Sequence, residues 1–265
     1  MARDVLGSGS MKLTAFGLTD RGRKRSRNED DLGIVDLSTG KGIDPAALED
    51  LPIGDLGVLL AVCDGVGGRR AGEVASALAL SSLAEEMEEQ AKSCPRRAMF
   101  GAAVEHVNRT VWEKAHEDPR LEGMATTLTA AVVCRNRAIL AHVGDSRAYV
   151  FRRGAIRQVT RDQSFVQSLV TSGALSEEEA KQSPYRNVIL QAIGRKKQVE
   201  VALDAVELEE GDTLLLCTDG LSEKVAAPEL ARALENPDLQ SCVRGLIDLA
   251  NERGGEDNIT ALVAR

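Results

Sequence analysis

Aromatic residues make up only 3% of this 265-residue sequence, with a single tryptophan, so its core must be built from Leu, Val, Ala and Ile. Histidine is scarce too. His106, His116 and His142 form no ligand pair, which disfavours zinc. The five cysteines (Cys63, Cys94, Cys134, Cys217, Cys242) contain no C-x-x-C pair. Most lie in apolar stretches, so buried free thiols are expected and a disulfide framework is not, as suits a reducing, cytoplasmic setting. No apolar run approaches the ~18 residues of a membrane helix, and no signal-peptide core opens the chain. There is no positive excess: the net charge is -8, which argues against a general nucleic-acid surface. Neither nucleic acid nor membrane is therefore an expected partner.

Several catalytic and binding motifs are also missing. A dinucleotide fingerprint would need glycine at 65, 67 and 70, but position 70 is Arg70; the frame from Gly67 meets Arg69. No Gly-Lys-Ser/Thr follows, and Asp64 beside the turn would repel a pyrophosphate. No G-x-S-x-G elbow exists. Cys63 and Cys217 sit inside strand-like runs rather than in an anion loop, and His142 reads as a core histidine.

What remains is a soluble globular composition, 43% hydrophobic and 28% charged. Residues 1–11 read as a flexible leader or a non-native remnant, Met11 being an alternative start. Residues 12–265 read as one domain. Strands are expected at 13–18, 32–37, 58–64, 127–134, 138–144, 148–152, 155–160, 199–208, 212–219 and 258–264. A loop is expected at about 38–56. Helices are expected over 71–90, with Val74, Leu78, Leu83 and Met87 inward, and over 96–117, the pair being separated at Cys94-Pro95. Further helices follow near 227–235 and 239–252. The strands cluster rather than alternate with helices, which predicts antiparallel sheets with helices packed outside.

Carboxylates recur where apolar strands end. Asp64, Asp219 and Asp145 each close a strand, Asp257 opens the last one, and Glu29-Asp30-Asp31 precedes the second. Any one Asp-Gly after a strand is ordinarily a turn. Several together, if the fold brings them into one place, require cations, because burying unpaired carboxylates costs many kcal/mol. Oxygen ligands without His or Cys point to Mg²⁺ or Mn²⁺. One arginine of the basic run 21–27 is suited to grip a phosphate beside them.

The ordered motifs RGRKRSRNEDD, LLAVCDGVGG, MATTLTAAVV, AHVGDSRAYVF, LLLCTDGLSEKV and GGEDNIT together resemble the metal-dependent protein serine/threonine phosphatases of type 2C, in their compact bacterial form. The resemblance spans roughly residues 12–265. It implies an α+β fold, a four-layer α/β/β/α sandwich of two stacked antiparallel sheets flanked by helices, with a flap at about 161–190. It implies two Mn²⁺ or Mg²⁺ ions per chain and a third, weaker site. Asp64 would bridge both ions and the Gly65 carbonyl would bind one, Asp219 and Asp257 would hold the other, and Asp30 would act mostly through metal-bound water. Asp145 with Asp219 matches the third site, and Arg25 the phosphate-binding arginine. The implied reaction is hydrolysis of phosphoserine and phosphothreonine in proteins by a metal-bridging water, opposing a bacterial Ser/Thr kinase, by a monomeric enzyme. The sequence departs from the pattern at Val66, where many eukaryotic members carry a histidine proposed as general acid, and at Gln163, where histidine is common. An inactive binding module of the same fold is the alternative, and the retained aspartates argue against it.

Overall fold

In a computed structural model, residues 12–47, 49–66, 71–90 and 97–265 are described. The expected leader, the glycine turn after Val66 and the Cys94-Pro95 break lie outside them. In chain order the elements are β1 (Lys12–Asp20), β2 (Asp30–Asp36), β3 (Lys41–Ile43), β4 (Glu49–Pro52) and β5 (Val58–Val66), then α1 (Ala71–Gln90) and α2 (Arg97–Glu117). There follow β6 (Ala125–Thr126), β7 (Leu128–Cys134), β8 (Arg137–Val143), β9 (Arg147–Arg152), β10 (Ala155–Gln158), α3 (Phe165–Thr171) and α4 (Glu177–Gln182). The chain ends with β11 (Ala202–Glu207), β12 (Thr213–Cys217), α5 (Asp219–Ser222), α6 (Ala227–Leu234), α7 (Leu239–Glu252) and β13 (Ile259–Ala264).

The strands form two antiparallel sheets, ordered β10-β9-β12-β13-β1-β4 and β11-β8-β7-β5-β2-β3. Between them lies a core of Leu13, Ile34, Leu60, Val62, Leu140, Leu216 and Leu262, among others. A second core packs α1 and α2 on one sheet, and a third packs α6 and α7 on the other. The result is the four-layer sandwich. It also explains the continuous apolar run of β5. Val58, Leu60 and Val62 face the opposite sheet while Leu59, Ala61 and Cys63 face the helices, so both faces of the strand are buried. No helix among the described residues is long and apolar enough to cross a membrane.

Four expectations are corrected. The stretch 38–56 is not a bare loop: it carries β3 and β4, which extend one edge of each sheet. Short edge strands of mixed polarity leave little period-two signal. In α1 the buried stripe is Ala71, Ala75, Ala79, Leu83 and Met87, while Val74 is exposed, because alanines let the helix lie close on the sheet. Asp219 does not close β12 but opens α5 after an extended Thr218. Cys63, Cys217 and Cys242 are free and buried as expected, but Cys134 is disulfide-bonded. Scattered spacing does not report which sulfurs a fold brings together.

Candidate functional site

The five aspartates meet at one end of the sandwich because strand register puts them there. Asp30 pairs directly with Asp64 across β2 and β5. The Thr218 N–H donates to the Thr260 carbonyl at 3.2 Å, setting the start of α5 beside the start of β13 and hence Asp219 near Asp257. A Cβ at Gly220 would fall 3.4 Å from the Asp257 Cβ and 1.9 Å from the Asn258 carbonyl oxygen, so only glycine fits after Asp219. Asp64 is clamped through its backbone: its N–H donates to Thr127 Oγ1 (2.9 Å), and its carbonyl accepts from Thr127 N (2.8 Å) and Thr126 Oγ1 (2.9 Å). Thr127 Oγ1 also shares a hydrogen bond with Ser146 Oγ at 2.8 Å, tying the β5 tip to the turn that carries Asp145. Gly65 is pressed between the Glu29 and Gly72 carbonyls, where a Cβ would come within 2.4–2.5 Å of them.

The electrostatics of the cluster match this geometry. Burial, then Asp30, Asp219, Asp145 and Asp257, drive Asp64 well above the usual carboxylate range. Burial pushes Asp30 up to about 7, against hydrogen bonds from Thr260 and Thr218 that pull it down and with Asp219 and Asp257 adding to the rise. Asp219 is pushed to about 7 by burial, Asp257 and Glu223, opposed by a hydrogen bond with Asp64. Asp145 is pushed to about 8 by burial and then by Asp219 and Asp162. Among the described residues, Asp30 Oδ1 and Asp219 Oδ1 are buried without a hydrogen-bond partner.

Among the same residues, no three His, Cys, Asp or Glu side chains already stand as a ready set of ligands. Arg25 engages Asp257, and two threonines engage Asp30. The donor set nonetheless fits hard divalent cations. It offers oxygen only, it is charged against itself, and it has orphaned oxygens that a cation would satisfy.

Arg25 reaches the cluster because its loop is stapled down. Asn258 accepts from Glu29 N (2.9 Å) and donates to the carbonyls of Arg21 and Arg27 (2.8 Å each), while Arg23 and Lys24 N–H groups donate to Gly255 O. Arg25 Nη2 then lies 2.7 Å from Asp257 Oδ2, with half its side chain in solvent. Asn258→Ala removes three part-buried hydrogen bonds at once. It is expected to cost about 2–4 kcal/mol in denaturant unfolding, and to release the loop that brings Arg25 to Asp257.

A cavity of about 740 Å³ runs away from Asp145 and Asp219. One wall is the segment 164–186, including Val166, Val170 and Ala180; the other is Val225, Ala226 and Pro228. Next to the lining residue Ser164, Gln163 exchanges two hydrogen bonds with Gly144, its N–H donating to the Gly144 carbonyl (2.7 Å) and its Oε1 accepting from Gly144 N (2.9 Å). Gln163 is thus engaged in holding the start of the 164–186 segment to the Asp145 turn. Val66, part-buried at the end of β5, offers no proton. His142 is buried with Nδ1 2.8 Å from Thr129 Oγ1, and burial lowers it to about 4, as a core histidine.

Thr127, Ser146, Thr218, Asn258 and Thr260, which support the cluster, drew no attention in the sequence. Their signal was there: polar residues set in or beside otherwise apolar runs, all but Thr127 within three positions of a candidate aspartate.

A family model described as protein phosphatase 2C matches residues 49–263. The chain is 42% identical over 206 residues to the serine/threonine protein phosphatase PstP of Mycobacterium tuberculosis, covering 78% of this chain and 40% of that protein, so it spans less than half of that relative's length. It is 35% identical over 249 residues to the serine/threonine phosphatase stp of Listeria monocytogenes, covering 92% of each. Among solved structures, the catalytic domain of PstP in complex with two manganese ions superposes with a TM-score of 0.79 at 36% identity, over 96% of this chain and 97% of that one.

Proposed function

The chain belongs to the protein phosphatase 2C family, and from that premise we propose that it hydrolyses phosphoserine and phosphothreonine in proteins, using two Mn²⁺ or Mg²⁺ ions held by its aspartate cluster. The observation that carries this reading is the convergence of Asp30, Asp64, Asp145, Asp219 and Asp257 at one end of the sandwich, with Arg25 against them. The relatives' names and the manganese complex support it.

In this reading Asp64, the Gly65 carbonyl, Asp219 and Asp257 would hold the two ions, with Asp30 acting through water. Asp145 with Asp219 offers a weaker third site. The ions, when bound, supply positive charge for the phosphoryl oxygens and acidify the attacking water. Arg25 grips the phosphoryl group, leaving or sharing Asp257, and neutralises charge as it develops. Water oxygen bonds to phosphorus and sheds a proton to surrounding water, the bond from phosphorus to the Ser or Thr oxygen breaks, and the leaving alkoxide takes a proton. Val66 has none to give, and this reading assigns that donation to water. The cavity beside the flap receives the peptide flanking the phosphorylated residue. Residues 12–265 act as one catalytic domain, monomeric and cytoplasmic, opposing a bacterial Ser/Thr kinase or acting on that kinase's substrates.

Phosphate release from a phosphothreonine peptide tests the reading. Turnover with Mn²⁺ and none with chelator is expected. Turnover undiminished by chelator, or none under either condition, contradicts it.

A further inference from the structure

Asp30 is held from the opposite sheet. It opens β2, whereas its two side-chain partners, Thr218 and Thr260, belong to the backbone segments that carry Asp219 and Asp257. Both hydroxyls reach the same oxygen: Thr218 Oγ1 lies 2.8 Å and Thr260 Oγ1 2.7 Å from Asp30 Oδ2. The other oxygen, Oδ1, is buried with no hydrogen-bond partner among the described residues.

The direction of these bonds follows from what stands behind each hydroxyl. Thr218 Oγ1 receives the Thr260 N–H at 3.0 Å, which leaves its own proton for Asp30. Thr260 Oγ1 also touches Thr19 Oγ1 at 2.8 Å, and Thr19 in turn receives Asn28 Nδ2 at 2.8 Å. The Asn28 amide is oriented by its own oxygen, which accepts from Asp30 N at 3.3 Å. A hydroxyl has one proton and an ionised carboxylate oxygen only accepts. The single Thr260 proton faces two acceptors, Asp30 Oδ2 and Thr19 Oγ1, and the charged carboxylate is the stronger of the two. Two hydroxyls thus end on one oxygen.

We infer that Thr218 and Thr260 are positioning residues that saturate Asp30 Oδ2 and leave Oδ1 as the only oxygen Asp30 can turn to a cation or to its water. They also fix the separation between Asp30 on one sheet and the Asp219 and Asp257 segments on the other. A merely structural polar contact between sheets would not need both donors on one oxygen while its twin stays bare. The inference rests on the two-cation reading of the site.

The test uses the full chain with Thr218→Val, Thr260→Val and the matching serine variants. Mn²⁺ affinity is read by calorimetry, metal-free stability by denaturant unfolding, and kcat and KM with a phosphothreonine peptide. Removing a group that orients a metal ligand typically weakens affinity about 10–100-fold, and that is the expectation for each valine variant, with kcat lowered, peptide KM unchanged, and serine restoring both. Valine variants that are less stable without metal but bind Mn²⁺ like the parent overturn the inference. So do serine variants as impaired as the valine ones, which would make the methyl group the important part. Should the valine variants not fold, Asp30→Asn decides. The same two donors would hold its amide oxygen and turn its NH₂ outward, so a folded protein with lost Mn²⁺ affinity is expected, and parent-like affinity overturns the inference. A parent chain that takes up no Mn²⁺ overturns the functional reading itself. Unchanged valine variants of a parent that binds Mn²⁺ overturn the threonine pair alone.

Discussion

Replacing Asp64 by asparagine is expected to lower kcat for a phosphothreonine peptide by ~10³-fold or more, at least the loss caused by deleting one electrostatic donor at a reacting centre. Asp64 is the residue on which the charges of Asp30, Asp219, Asp145 and Asp257 all act. It is also the most firmly mounted: its backbone is held by Thr126 and Thr127, and its strand is buried on both faces. A side chain fixed at the centre of an acidic cluster is the one whose charge cations need most. The same substitution removes a part-buried, self-repelling carboxylate, so without metal the variant is expected to be at least as stable as the parent. The two effects run in opposite directions, which separates this outcome from simple misfolding. A folded Asp64→Asn protein with activity within roughly tenfold of the parent, about 1.4 kcal/mol of barrier, contradicts the role given to Asp64.

Without metal, stability is expected to fall as pH rises from about 4 to 8; with saturating Mn²⁺ the fall is expected to disappear. Asp30 and Asp219 lie near 7 and Asp145 near 8, all through burial and mutual repulsion, and all above the unfolded carboxylate value of roughly 4. The folded chain therefore binds more protons than the unfolded one. The stabilisation is fully present below about pH 4 and is lost as pH climbs through these raised values. Cations compete with those protons, so their stabilisation grows over the same window. Carboxylates paired with arginine act in the opposite sense: Glu229, drawn down to about 2 by its hydrogen bonds to Arg253, loses its contribution as pH falls. Thermal unfolding with and without Mn²⁺ at pH 5, 6.5 and 8 checks this, each kcal/mol appearing as roughly 2–4 °C in a chain of this size. A metal-free protein whose unfolding temperature is flat or rising over this window contradicts the raised values of Asp30, Asp145 and Asp219.

Much of this was legible in the sequence, for physical reasons. Continuous apolar runs such as VLLAVCD occur where a strand is covered on both sides, and β5 is such a strand. The helices over 71–90 and 239–252 were readable from periodicity and composition. The strand-tip aspartates could be named because hydrophobic strands ending in carboxylates conflict with burial, and that conflict marks a site. What could not be read was convergence. Nothing in the local sequence says that Asp30 stands opposite Asp64, since pairing register is a long-range property. The edge strands within 38–56 were missed because they are short and polar, and the supporting threonines because a hydroxyl in a strand reads as ordinary β-propensity. Val74 was misplaced because hydrophobicity was allowed to outrank the alanine stripe that fits against the sheet.

The most direct test of the central claim is a calorimetric Mn²⁺ titration of the metal-free protein at pH 7.5, run beside Asp64→Asn. An aspartate cluster that serves as a two-cation centre takes up two ions per chain and releases protons on binding, and the asparagine variant loses most of that uptake. A parent chain that binds no Mn²⁺, or an Asp64→Asn protein that binds it as the parent does, would contradict the account.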